Sequence, residues 1–131
     1  METKKILLVD DDKDLLRGMS LSLKASGYQV VLAQDAIAAV STARQEQPDL
    51  VVLDLGLPGG DGFLVMERLS AFTKMIPVII VSAKQSGPNR ERALEVKSLE
   101  AGAQAFFQKP VDRTEFMSAV RKALKEPQVT M

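Results

Sequence analysis

The sequence predicts an α/β fold, a doubly wound five-stranded parallel sheet in the order 2-1-3-4-5 with helices on both faces. Three observations predict it. Short apolar runs alternate with longer amphipathic segments five times. The runs are continuous and rich in Val and Ile, as in strands buried on both faces. And three of the runs, with a weaker fourth, stop at residues suited to phosphate or metal chemistry, which belongs at the carboxyl edge of such a sheet.

The runs fall at roughly 5–9, 29–33, 50–54, 77–82 and 105–108. Helical patterns lie near 13–26, 35–47, 62–72, 89–101 and 112–125. Turn and cap residues agree with these bounds. Asp12 precedes the first helix as an N-cap, and Gly27 follows it. Asp35 opens the second helix and Pro48 follows its end. Asp61 caps the third, after the turn Pro58-Gly59-Gly60. Gly102 ends the fourth, and Asp112 opens the fifth with Glu115 three residues on, an Asp version of the capping box. Strict strand–helix alternation and right-handed crossovers leave few topologies. The order 2-1-3-4-5 is a common one, with its switch point between strands one and three.

The chain of 131 residues suits one domain, and 46% hydrophobic with 26% charged residues is an ordinary globular balance. One domain is expected over 1–126, with 127–131 a frayed tail. Seventeen basic and seventeen acidic residues balance, so neither a nucleic-acid nor a membrane-surface binder is indicated. No cysteine or histidine is present, which excludes disulfides, thiol catalysis, histidine triads and histidine metal sites. No apolar run reaches transmembrane length, and the start lacks a signal-peptide pattern. The cytoplasm is the expected location.

Asp10 and Asp11 end the first run, Asp54 the third, Ser82 the fourth and Lys109 follows the last. Parallel strands bring these ends to one edge. Clustered carboxylates repel one another unless a cation intervenes. With only oxygen donors at hand, Mg²⁺ suits the set better than zinc, and the backbone carbonyl of Gly56 is a further candidate ligand. Mg²⁺ and Lys109 would neutralise a phosphoryl group, Ser82 would donate to it, and the carboxylate of Asp54 would accept it as an acyl phosphate. Singly, each residue also has an ordinary reading. Asp10–Asp12 suit a helix N-terminus, Asp54 a turn, and Lys109-Pro110 a solvated turn. Their joint placement at successive strand ends is what favours a site.

The sequence resembles the receiver domain of bacterial response regulators from about Lys4 to Lys125. The resemblance rests on ILLVDDD (6–12), PDLVVLDLGLPGGDG (48–62), PVIIVSA (77–83) and AGAQAFFQKP (101–110). It implies the flavodoxin-like fold, with Asp54 as phosphoacceptor and Asp10, Asp11 and the Gly56 carbonyl as Mg²⁺ ligands. It implies Ser82 and Lys109 as phosphoryl-sensing residues, Phe106 as the switch aromatic, and a cis peptide bond to Pro110. The donor would be a phosphohistidine on a sensor histidine kinase or histidine phosphotransfer protein. Phosphorylation would change the surface of helix four, strand five and helix five, altering an unnamed downstream partner or driving dimerisation. The expected protein is a binding switch rather than an enzyme, its only chemistry being its own phosphorylation and dephosphorylation. No output domain is read within the chain.

Three other functions compete for the same residues. A receiver-like interaction module would signal without phosphorylation, although every required side chain is present. A flavin or nucleotide binder would need a Gly- or Ser-rich loop where this chain has Asp10-Asp11-Asp12-Lys13. A phosphatase with an Asp nucleophile fits the Asp10/Asp12 spacing but leaves Asp54 unexplained.

The interval from Ser82 to Lys109 exceeds the family spacing by roughly five residues, within 84–103. Five residues rotate a helix by about 500°, so Leu94 and Leu99 cannot share one stripe, whereas Ala93, Val96 and Leu99 can. Either helix four is lengthened or displaced, with Leu94 turned from the core onto the output face, or the loop simply varies in length. The positions two beyond Asp54 and Ser82, Gly56 and Lys84, are ones that influence phosphoryl lifetime in the family, and here they give no net direction.

Overall fold

The computed structural model describes residues 3–57, 62–72, 75–83 and 87–127. Five strands and five helices alternate without exception. They are β1 (Lys5–Val9), α1 (Lys13–Ala25), β2 (Gln29–Ala33), α2 (Ala36–Glu46), β3 (Leu50–Asp54), α3 (Gly62–Ser70), β4 (Val78–Ser82), α4 (Pro88–Glu100), β5 (Ala105–Gln108) and α5 (Arg113–Ala123). The sheet is parallel throughout and ordered β2-β1-β3-β4-β5, as the sequence predicts.

Side-chain alternation along each strand divides the core in two. Leu7, Val9, Val51, Leu53 and Ile80 face α2 and α3, where Ala39, Ala43, Val65 and Leu69 cover them. Ile6, Leu8, Val52, Ile79 and Val81 face the opposite layer, against Leu16 and Leu23 of α1 and Phe116 and Val120 of α5. Both layers lie within β1, β3 and β4, and this accounts for the unbroken apolar runs. Edge strand β2 is only partly covered, and Leu32 is exposed.

The caps hold most element ends where the sequence places them. Asp12 accepts from the N–H groups of Asp14 and Leu15, Asp35 from Ala38, and Asp112 from Glu115. Gly27 and Gly102 take positive φ after α1 and α4, the left-handed conformation glycine adopts without a Cβ penalty. Pro77 lies just outside β4, with no N–H to give, and its carbonyl accepts from Val51. The expected cap Asp61, the turn Pro58-Gly59-Gly60 and Lys84 lie outside the described residues. At Gly62 a Cβ would sit 2.8 Å from the Cα of Leu55, so glycine lets α3 start directly against the chain leaving β3.

Helix α4 corrects the expected stripe. Ala93, Val96 and Leu99 are exposed, and the inward line is Glu91, Leu94 and Ser98. Ser98 is fully buried, which its hydroxyl tolerates by donating to the Leu94 carbonyl at 2.7 Å. A small side chain there lets α4 lie close to the sheet. Glu91 accepts a hydrogen bond from the Gln108 amide and ties the helix to the end of β5. Leu94 is thus half-buried rather than turned outward.

Candidate functional site

The carboxyl ends of β1, β3, β4 and β5 converge on one pocket of about 600 Å³, open to solvent. Parallel register brings them there: Val9 pairs with Leu53, Asp54 with Val81, and Ser82 with Gln108. Asp54 therefore closes the central strand with Asp10 and Asp11 on one side and Ser82 and Lys109 on the other.

Asp10 and Asp54 are buried, at 5% exposure each, while Asp11 is exposed. One carboxylate oxygen from each of the three falls within 4.8 Å of the others. Their loops are pinned by short local bonds. Asp10 Oδ1 accepts from the Asp12 N–H at 2.9 Å, and Asp54 Oδ1 accepts from the Gly56 N–H at 3.0 Å. The second oxygens turn to Lys109, whose Nζ lies 2.9 Å from Asp10 Oδ2 and 3.5 Å from Asp54 Oδ2. Lys109 thus bridges the two buried acids.

Burial raises the proton affinity of Asp54 above the ordinary carboxylate range, and the charge of Asp10 adds to it. The Gly56 N–H and Lys109 pull in the opposite direction without cancelling it. Burial alone would lower the proton affinity of Lys109, but the hydrogen bond to Asp10 and the charges of Asp54 and Asp10 outweigh it, so Lys109 stays firmly protonated.

Ser82 is buried in the same pocket, and its hydroxyl donates to the Ala83 carbonyl at 3.3 Å. The Ser82 carbonyl accepts from the Lys109 N–H at 2.8 Å, so the ends of β4 and β5 are joined where hydroxyl and ammonium emerge. Phe106 pairs with Ile80 across the sheet and is partly buried against the α2–α3 layer. The Lys109–Pro110 peptide is cis.

Asp10, Asp11, Asp54, Gly56, Ser82 and Lys109 thus meet at this edge, while Phe106 lies within β5, two residues before its end. Sequence reasoning missed the helix side chains of the pocket wall, Phe63 of α3 and Leu94 and Lys97 of α4. The ammonium of Lys97 stands 4.2 Å from the centroid of the Phe63 ring. No motif marks them, and for Leu94 and Lys97 their presence depends on how α4 is rotated. The three-carboxylate cluster offers oxygen donors only, at the rim of an open pocket, which fits a hard divalent cation.

Fold and site together define a doubly wound α/β domain with an acid–lysine cluster at its topological switch point. The chain matches the response regulator receiver domain over residues 6–121, and it belongs to that family. It is 36% identical over 121 residues to the transcriptional regulatory protein PrrA of Mycobacterium bovis, covering 92% of this chain and 50% of PrrA. It is 35% identical over 126 residues to the alkaline phosphatase synthesis transcriptional regulatory protein PhoP of Bacillus subtilis, covering 96% of this chain and 50% of PhoP. The chain therefore spans about half the length of these curated relatives. Among solved structures, the signal receiver domain of a LuxO repressor protein from Vibrio parahaemolyticus superposes with a TM-score of 0.85 at 26% identity, over 95% of this chain and 92% of that one. Among the described residues, no helix is long and apolar enough to cross a membrane.

Proposed function

We propose that this receiver domain is a phosphoacceptor switch in which Asp54 takes a phosphoryl group from a phosphohistidine. The donor is a sensor histidine kinase or histidine phosphotransfer protein, and the site of action is the cytoplasm. One observation carries the reading: a buried carboxylate at the end of the central strand faces a lysine that it shares with a second buried acid.

In the transfer, an Asp54 carboxylate oxygen attacks phosphorus as the phosphorus–nitrogen bond to the donor imidazole breaks. The imidazole leaves and its nitrogen takes up a proton from solvent. Reversal of the signal is hydrolysis, in which water attacks phosphorus and the aspartyl carboxylate leaves. Mg²⁺ would be held by Asp10, Asp11, Asp54 and the Gly56 carbonyl, and when bound it supplies positive charge to the phosphoryl oxygens. Lys109 supplies the second positive charge, reoriented from its bridge between Asp10 and Asp54. The Ser82 hydroxyl exchanges the Ala83 carbonyl for a phosphoryl oxygen. Positioning and charge, more than covalent chemistry by the surrounding residues, lower the barrier.

The addition of about two negative charges is then read at the ends of β4 and β5. Movement of Ser82 toward the phosphoryl group opens room for Phe106 to turn further inward. The surface of α4, β5 and α5 changes with it, and so does its affinity for a downstream protein or for a second copy. The domain acts by binding, and its catalytic chemistry is confined to its own acyl phosphate.

Incubation with a small acyl phosphate and Mg²⁺, followed by intact-mass measurement, tests the reading. One phosphoryl group should add to the wild-type chain and none to Asp54→Ala. An unchanged wild-type mass would favour an interaction module that works without phosphorylation.

A further inference from the structure

We infer that Lys97 of α4 is a second charge reader of the acceptor pocket, parked at rest on the Phe63 ring and drawn to the phosphoryl oxygens once Asp54 carries them. This rests on Asp54 being the phosphoacceptor. It assigns to α4 an electrostatic link to Asp54 separate from the route through Ser82 and Phe106.

The first ground is position. Lys97 lines the same pocket as Asp54, Ser82 and Lys109, and it enters from the helix side. The inward rotation of α4 that buries Ser98 and half-buries Leu94 also brings Lys97 to the pocket wall. Had the Ala93–Val96–Leu99 stripe packed inward instead, Lys97 would have stood elsewhere on the helix.

The second ground is charge. Lys109 is already committed to Asp10 and Asp54. Lys97 makes no ion pair among the described residues, and its ammonium lies over the Phe63 face. A cation on an aromatic face at a solvent-open pocket is held more weakly than one hydrogen-bonded to an anion. New negative charge in the pocket therefore competes effectively for it. The flexible four-carbon stem and compact ammonium of lysine suit such a move.

The third ground is the seating of α4. Among its residues only Ser98 is fully buried, and its exposed face carries Val96 and Leu99. A helix with so shallow a hold responds to a modest pull on one side chain. Transfer of Lys97 from Phe63 to the phosphoryl group pulls on the last turn of α4 and loosens its contact with Phe63 of α3.

NMR on the whole chain tests this, with beryllium fluoride and Mg²⁺ as the phosphoryl mimic. At rest the Lys97 ε-methylene resonances should lie upfield of those of other lysines, through the Phe63 ring current, and Phe63→Leu should abolish that offset. Formation of the beryllofluoride adduct should move them back downfield. Lys97→Gln should weaken beryllofluoride binding about tenfold, and Lys97→Arg should restore most of it. Mg²⁺ binding without fluoride should be unchanged or tighter in Lys97→Gln, because a like charge has been removed. A purely structural role would weaken both ligands together and overturn the inference. So would an adduct that leaves the Lys97 resonances in place, or one that Lys97→Gln binds as well as wild type. Absence of any wild-type adduct would overturn the acceptor reading and this inference with it, and so would an adduct undiminished in Asp54→Ala.

Discussion

At the residue scale the site is held in tension. Asp54 and Asp10 are both buried, and one lysine serves both. The folded pKa of Asp54 lies above its unfolded value, so the folded state takes up a proton more readily. Ionised Asp54 therefore destabilises the fold at all pH above its folded pKa. That penalty fades as pH falls toward the ordinary carboxylate range. Asp54→Asn should accordingly raise stability without Mg²⁺ at neutral pH by about 1 kcal/mol, or roughly 4 °C in Tm. The gain should shrink on acidification, and thermal melts of both proteins between neutral and mildly acidic pH read it directly. A lower Tm for the asparagine variant at neutral pH would show that the Lys109 pairing outweighs burial. The acidic pair, the acceptor, the hydroxyl and the lysine were all legible in the sequence because each ends an apolar run, and parallel strands collect such ends. The sharing of Lys109 between two acids was not legible, since it depends on side-chain reach.

At the scale of elements, α4 is where pattern and packing part. Counting apolar residues selects Ala93, Val96 and Leu99 as the core stripe, yet the helix buries Ser98 and half-buries Leu94. Hydrophobic periodicity ranks a serine low, although a hydroxyl bonded to the carbonyl four residues back satisfies itself inside the helix. The short side chain then serves close helix–sheet contact better than a leucine. Val96→Lys and Leu99→Lys should each change stability by less than about 0.5 kcal/mol, as surface substitutions do. Ser98→Leu should destabilise by about 1–3 kcal/mol through overpacking. Urea unfolding of the three variants separates the arrangements, because inward packing of Val96 and Leu99 would make the lysine variants the damaging ones. The starts of α1, α2 and α5 were readable because each has an aspartate cap, and in α1 the apolar face packs inward as its pattern requires, through Leu16 and Leu23.

For the whole molecule, the sheet order and two-layer core follow from five continuous apolar runs and right-handed crossovers, which is why the topology was legible before the structure. Long-range ties of single polar groups were not. Tyr28, just before β2, donates its hydroxyl to Glu126 beyond α5, joining the segments that follow the C-termini of α1 and α5. Burial, then the hydrogen bond and charge of Glu126, push the Tyr28 pKa up to about 12. The tie is therefore complete below the ordinary tyrosine pKa and is lost as pH rises from there to about 12. Tyr28→Phe should destabilise by about 1 kcal/mol at neutral pH, measured by urea unfolding, with the difference closing in strong alkali. The strand ends gather around one acceptor, and its identity can be read chemically. Its most direct measurement is borohydride trapping of the acyl phosphate after transfer from a phosphohistidine donor with Mg²⁺, followed by peptide mapping. Reduction is expected at Asp54 alone. Trapping at Asp10, Asp11 or Asp12 instead, or transfer undiminished in Asp54→Ala, would contradict it.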